Sequence, residues 1–209
     1  MGSLEVSVIT TVFNEGASIE AFLDSLVHQT RQADEIVVVD AGSTDGTLER
    51  LEAAAELDDR IRVIVEPGNR SHGRNTAIEA ASHEIVACTD GGGVADPQWL
   101  ENLVVPFSDG ADWVAGFYRV DAPTALDRCV GLTITYVIEE VNPDFFMPSG
   151  RSMAFTKTAW RAAGGFPEDV EFGEDTLFDQ MMLDADFRPI FAANATVAWH
   201  PPSGFDGLA

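Results

Sequence analysis

Two acidic residues stand at the ends of apolar, β-branched runs. Val37, Val38 and Val39 lead to Asp40, and residues 84–89 lead to Asp90. A strand ending on a carboxylate delivers it to the C-terminal edge of a parallel sheet, where open α/β folds bind their ligands. Gly91, Gly92 and Gly93 follow Asp90 directly, and such a run suits a tight turn or a backbone passing close to a ligand. A further acidic pair, Glu174 and Asp175, opens a helical pattern late in the chain, where acidic side chains suit the helix N-terminus.

The elements that must hold these residues are readable from periodicity. Residues 6–13 form an apolar run followed by Asn14, Glu15 and Gly16, then by the helical spacing of Ile19, Phe22, Leu23 and Leu26. The run ending at Asp40 is followed by a glycine-containing turn and a helix carrying Leu48 and Leu51. A short strand at 62–65, a helix through Ala77 and Ile78, the strand at 84–89, a helix starting at Pro97 with Trp99 and Leu103, and a strand at 113–117 continue the alternation. Strands alternating with helices predict an α/β fold, a mostly parallel central sheet flanked by helices. From Thr124 the apolar residues Leu126, Val130, Ile134, Val137, Ile138 and Val141 fall on one helical face, which predicts a helix packed on the core. Residues 142–151 read as a loop, followed by a strand at 153–155, a helix from Lys157, a loop at 164–167, the helix opened by Glu174, and closing strands at 189–191 and 196–199. With no repeat and no linker, residues 1–117 and 118–209 are expected to be two halves of one domain.

Charge narrows the possible partners. The 209 residues hold 35 Asp and Glu against 12 Lys and Arg, a net charge of -23, and Lys157 is the only lysine. Such a surface repels nucleic acid and anionic lipid, and molar salt screens its self-repulsion over roughly 3 Å, so a halophilic protein is expected. Cys88 and Cys129 lie in separate apolar stretches and read as buried free thiols in a reducing compartment. No leader-like segment opens the sequence and no apolar run approaches the roughly 20 residues that span a bilayer, so a soluble, cytoplasmic protein is expected. Attachment to the inner face of a membrane would need segments outside this chain.

Six segments together carry a resemblance. They are ThrThrValPheAsnGlu at 10–15, ValAspAlaGlySerThrAspGlyThr at 39–47, GlyArgAsnThrAlaIle at 73–78, ThrAspGlyGly at 89–92, GlyGlyPhePro at 164–167 and GlyGluAsp at 173–175. In this order they resemble family 2 glycosyltransferases of the GT-A fold, which bind a nucleotide-activated sugar such as a UDP- or GDP-linked donor. The resemblance implies that Thr11 and Phe13 line the base pocket, with Glu15 in the same turn, and a ring at Phe13 can stack on a base. It implies that Asp40 accepts a hydrogen bond from the base, a charge-assisted contact, and that Arg74 lies near the nucleotide and diphosphate.

Asp90 matches the start of the family's Asp-x-Asp motif, whose last carboxylate holds a divalent metal, Mg²⁺ or Mn²⁺, against the diphosphate. Gly92 stands at that last position. His200 matches a position where some relatives supply a metal-binding histidine, so Asp90 and His200 are the expected metal residues. Asp96 lies too far along and is expected to cap the following helix. The resemblance assigns Asp175 as the general base that deprotonates an acceptor hydroxyl, with Glu174 orienting acceptor or loop, and a base on the far face implies inversion. Arg151 is a candidate for touching donor phosphate or an anionic acceptor such as a lipid phosphate, the alternative to an acceptor hydroxyl. Residues 179–188 lack the Gln-x-x-Arg-Trp motif of processive enzymes, which favours single addition to a glycan or lipid-linked acceptor. A sugar nucleotidyltransferase and an inactive nucleotide-sugar binding module are the rival readings.

Overall fold

The β-branched runs become strands buried on both faces. In a computed structural model describing residues 4–122, 124–133 and 135–200, β1 (Val6–Val12), β2 (Glu35–Asp40), β3 (Ile61–Val65) and β4 (Ile85–Cys88) pair in parallel, in the order β3-β2-β1-β4. Val6, Val8 and Val12 of β1 and Ile36 and Val38 of β2 pack on one side, while Ile9, Val37 and Val39 pack on the other. Burial on both faces explains why the runs are nearly all apolar rather than alternating. The first side is covered by α1 (Ile19–Val27), α2 (Thr47–Leu57) and α4 (Trp99–Val104), through Phe22, Leu26, Leu51, Trp99 and Leu103. The second is covered by α3 (Arg70–Ala80), α6 (Lys157–Ala163) and α7 (Glu174–Asp184), through Ile78, Trp160 and Phe178.

Four strands extend the sheet. β7 (Met153–Thr156) lies antiparallel to β4 and β6 (Trp113–Val120) antiparallel to β7; β8 (Ile190–Trp199) runs parallel to β6, and β5 (Gly93–Ala95) closes the edge antiparallel to β8. Only β5 and β7 run against the rest, so the sheet is mostly parallel. Register puts Val12 opposite Asp40 and Ile9 opposite Cys88. The residues following β1, β2 and β4 therefore emerge along one edge, carrying Phe13, Asp40 and Asp90 together.

Several sequence expectations are corrected here. The expected helix over 124–141 stops early: α5 spans Ala125–Leu132, and only a 3-10 turn, Ile138–Glu140, follows. Thr133 and Thr135 donate their hydroxyls to the carbonyls of Val130 and Gly131, the back-bonding by which β-branched hydroxyls compete with helix continuation. Leu126, within α5, and Val137 and Ile138, beyond it, are exposed, while Ile134 lies outside the described residues. Cys88 is buried but Cys129 is exposed, because α5 packs through Asp127, Val130 and Gly131 and leaves Cys129 off that face. The two closing strands are one, β8, and Gly93 begins an edge strand instead of belonging wholly to a turn. Asp96 is no cap; its carboxylate pairs with Arg119 at 2.9 Å, and Gln98 occupies the N-cap of α4. No helix among the described residues is long and apolar enough to cross a membrane.

Candidate active site

Two cavities meet at the C-terminal edge of the parallel strands. A cavity of about 600 Å³ is lined by Thr11, Phe13, Glu15, Asp90, Arg151 and Trp199, among others. Five expected donor-binding residues thus converge on one space, with the Phe13 ring 58% exposed at its mouth. The loop beyond β1 is fixed to the loop beyond β2: Asn14 Oδ1 accepts from the Thr44 amide at 2.9 Å, and the Gly16 amide donates to Asp45 at 2.9 Å. Asp40 lies underneath, fully buried, accepting from the Ser43 hydroxyl at 2.5 Å and from the Ser43 and Gly42 amides at 3.0 and 3.2 Å. Its carboxylate shapes the turn that walls the cavity.

The second cavity, about 680 Å³, shares Arg70, Asp90 and Arg151 with the first and adds Tyr118, Tyr136, Phe145, Asp175 and Asp179. Between the cavities sits Arg74, fully buried. Its Nη2 donates to Asp90 at 2.6 Å, and its Nη1 to Asp175 at 2.7 Å and Glu174 at 3.3 Å. Burial opposes the charge on Arg74, but the pull of Asp90 and then Asp175 outweighs it and holds the guanidinium well above its ordinary pKa. Burial likewise opposes ionisation of Asp90, and the charges of Arg74, Arg151 and Arg70 overcome it, keeping this carboxyl below the usual range. Arg74 is thus a strut joining α3, the end of β4 and the start of α7. Gly150 makes room for it, and Gly73 lets α3 approach Thr11 of β1. A Cβ on Gly73 would collide with the Thr11 hydroxyl, and one on Gly150 would collide with the Arg74 guanidinium itself.

Asp175 is held from three directions. Besides Arg74, its Oδ2 accepts from the Gly150 amide at 2.9 Å and lies 3.4 Å from the Ser149 hydroxyl, which turns the carboxylate toward the larger cavity. Glu174 is buried, pairs with Arg70 at 2.9 Å and Arg74 at 3.3 Å, and lies in the lining of the larger cavity, so its carboxylate positions two arginines. A carboxylate held on the wall of an aromatic cavity, beside a cationic cluster and a second cavity able to take a nucleotide, has the parts needed for group transfer from a phosphate leaving group to a hydroxyl.

Residues 7–129 match the family model "Glycosyl transferase family 2". The chain belongs to that family, and its enzyme class is glycosyltransferase. Among curated relatives, glycosyltransferase AglE of Haloferax volcanii is 30% identical over 97% of this chain and 69% of its own length. The O-antigen chain rhamnosyltransferase RfbN of Salmonella typhimurium is 25% identical over 93% of this chain and 66% of its own. Among solved structures, the mannosyltransferase PcManGT of Pyrobaculum calidifontis, in complex with GDP-Man and Mn²⁺, superposes with a TM-score of 0.74 at 26% identity, covering 96% of this chain and 58% of that one. The chain thus spans well under two thirds of that structure. The S. aureus TarS structure, at 19% identity and a TM-score of 0.76, shares the fold.

The family's divalent metal, present as Mn²⁺ in PcManGT, fits the residues here poorly. Gly92 offers no carboxylate, and its φ of +76° is one that an acidic side chain would adopt only with strain. One oxygen of Asp90 is committed to Arg74. His200 sets Nδ1 3.2 Å from the Gly92 carbonyl and Nε2 3.5 Å from Asp121, and lines neither cavity. Among the described residues no three His, Cys, Asp or Glu side chains form a set able to hold an ion.

Other residues of the site were not singled out in the sequence. Arg70 stands one helical turn before Arg74, a spacing that in a chain with 12 cationic residues carried a signal. Tyr118 and Trp199 flank the Arg151 guanidinium at 4.9 and 4.4 Å, a contact formed only by the pairing of β6 with β8. Asn75 explains why GlyArgAsn and GlyGlyPhePro occur together. Its amide donates to the Phe166 carbonyl at 2.9 Å and accepts from the Phe166 amide at 2.9 Å, clamping that loop onto α3. Asp179, one turn beyond Asp175, is 3% exposed, and its Oδ1 has no hydrogen-bond partner among the described residues.

Proposed function

We propose that this chain transfers a sugar from a nucleoside-diphosphate sugar to an acceptor hydroxyl, one residue at a time and with inversion at the anomeric carbon. The single observation that carries the reading is Asp175, fixed by Arg74 and Gly150 on the wall of the larger cavity where that cavity adjoins the smaller one. The donor's base and ribose enter the smaller cavity past Phe13 and Thr11, within walls shaped by Asp40. Its diphosphate reaches Arg70 and Arg151 at the shared boundary. Asp175 then takes the proton of the acceptor hydroxyl as that oxygen attacks the anomeric carbon, while the carbon–oxygen bond to the diphosphate breaks and its electron pair leaves with the phosphate. Attack opposite the leaving group inverts the configuration.

Residues 1–117 form the donor half on this reading and residues 118–209 the acceptor half. Tyr136 and Phe145, 66% and 79% exposed on the wall of the larger cavity, suit the apolar face of an acceptor sugar or lipid-linked glycan. PcManGT holds GDP-Man, which supports a nucleotide sugar as donor. A panel of UDP- and GDP-sugars assayed in molar KCl tests the proposal. Release of nucleoside diphosphate with a product of inverted anomeric configuration by NMR is expected; release of pyrophosphate, or a retained configuration, refutes it.

A further inference from the structure

The site's cations are arranged as if to do the work usually given to a metal. Arg70, Arg74 and Arg151 are three of only 12 cationic residues in a chain of net charge -23; Arg70 and Arg74 pair with Asp90, Glu174 and Asp175, and the charge of Arg151 acts on Asp90. Of the three, Arg74 is spent on the carboxylates. Arg151 forms no ion pair with any described residue: its guanidinium is stacked against Trp199 at 4.4 Å and Tyr118 at 4.9 Å, and its Nε is buried without a partner. Arg70 donates one nitrogen to Glu174 and leaves its side chain 57% exposed. Both line both cavities, on the same boundary as Asp90. Stacking on two aromatic rings fixes a guanidinium before a ligand arrives, and its planar fork matches two phosphate oxygens at once.

The metal position is meanwhile closed from the other side. A Cβ built on Gly92 would lie 3.0 Å from the Glu15 carboxylate, so the place of the second motif carboxylate is filled by another acid already bonded to Ser18 at 2.6 Å. Gly92 and this neighbour together leave Asp90 as the only carboxylate of the motif, with one oxygen held by Arg74.

We infer that this chain binds the donor's diphosphate through Arg151 and Arg70, so that a nucleoside diphosphate is held without a divalent metal. The inference rests on reading the smaller cavity as the donor site, and the experiment separates the two. UDP, GDP and dTDP are titrated calorimetrically into the chain in KCl buffer, with EDTA and then with excess Mn²⁺, alongside Arg151→Gln, Arg151→Lys and Arg70→Gln variants checked by thermal melting. At least one nucleotide is expected to bind in EDTA within about threefold of its affinity in Mn²⁺. Arg151→Gln and Arg70→Gln should each weaken that binding in EDTA by about tenfold or more, the factor for one lost charge-assisted hydrogen bond. Arg151→Lys, which keeps the charge and loses the fork, should lose less. Binding that appears only with Mn²⁺, or that survives both Gln variants unchanged, overturns the inference and leaves the glycosyltransferase reading standing. No binding of any nucleotide in either condition overturns both.

Discussion

Asp179→Asn is expected to stabilise the protein at high pH and not at low pH. The carboxyl is nearly inaccessible, with Oδ1 unpartnered, and burial, followed by the charge of Asp175 one turn earlier, pushes its pKa up to about 8. In the unfolded chain an aspartate titrates near 4. Below about pH 4 the group is protonated whether folded or unfolded and costs nothing. As pH rises toward 8 the unfolded chain loses the proton while the folded chain retains it, so stability falls across this window; above 8 the penalty is complete. A gap of about four pK units sets a ceiling of roughly 5 kcal/mol. Water entering from the adjoining cavity will relieve part of this, and we expect about 2 kcal/mol, or roughly 4 to 8 °C in melting temperature for a chain of this size. Asparagine keeps the shape and cannot ionise, and any cost of its unpartnered amide is independent of pH. The assay is thermal melting of both proteins from pH 4 to 9 at constant KCl. A difference between them that stays constant over that range would refute the reasoning.

The remaining expectations concern the strut, the base and the surface. Arg74→Met should lower stability by about 3 kcal/mol or more in denaturant melts, because it leaves Asp90, Asp175 and Glu174 without their shared partner; a loss under 1 kcal/mol would show the network to be dispensable. Asp175→Asn should reduce turnover by roughly 10² to 10⁴ and also lower the melting temperature, since an amide must turn a donor toward either Arg74 or the Gly150 amide; turnover near wild type would remove it as the base. The melting midpoint should rise from low salt to molar KCl because screening relieves the repulsion of a -23 chain, and a flat or falling midpoint would defeat the halophilic reading.

Short-range pattern made much of the fold legible and long-range closure did not. β-Branched runs ending in Asp40 and Asp90 announced parallel strands and their ligand edge, because burial on both faces leaves a continuous apolar signature. The stripe over 124–141 misled, since helical periodicity says where apolar side chains would point if a helix formed and nothing about Thr133 and Thr135 ending it. Phe13, at the end of a predicted strand, and Glu15, in the turn after it, line one cavity together with Thr11. Arg74 could be flagged as belonging to the site, yet its partners Glu174 and Asp175 lie 100 and 101 positions away, and no local rule foretells that pairing. The Tyr118 and Trp199 faces of Arg151 depend in the same way on β6 finding β8.

Ionic strength acts unequally on the three arginines, and this difference bears on how an acidic chain keeps an anion site at high salt. At 1 M salt, exposed charges are screened from one another beyond roughly 3 Å, whereas buried pairs are screened far less. Arg74, with a side chain 1% exposed, therefore keeps its grip on the carboxylates at any salt concentration. Arg70, 57% exposed, is weakened most, and its contribution to phosphate binding should fade first as KCl rises. Arg151 lies between these limits. Its position depends on contact with two rings, which salt does not loosen, and its fork makes directional bonds that survive screening better than a point charge would. On the halophilic expectation, arginine rather than lysine at all three positions suits the proposed anion site: where molar salt screens the long-range field, an anion is held by directional bonds.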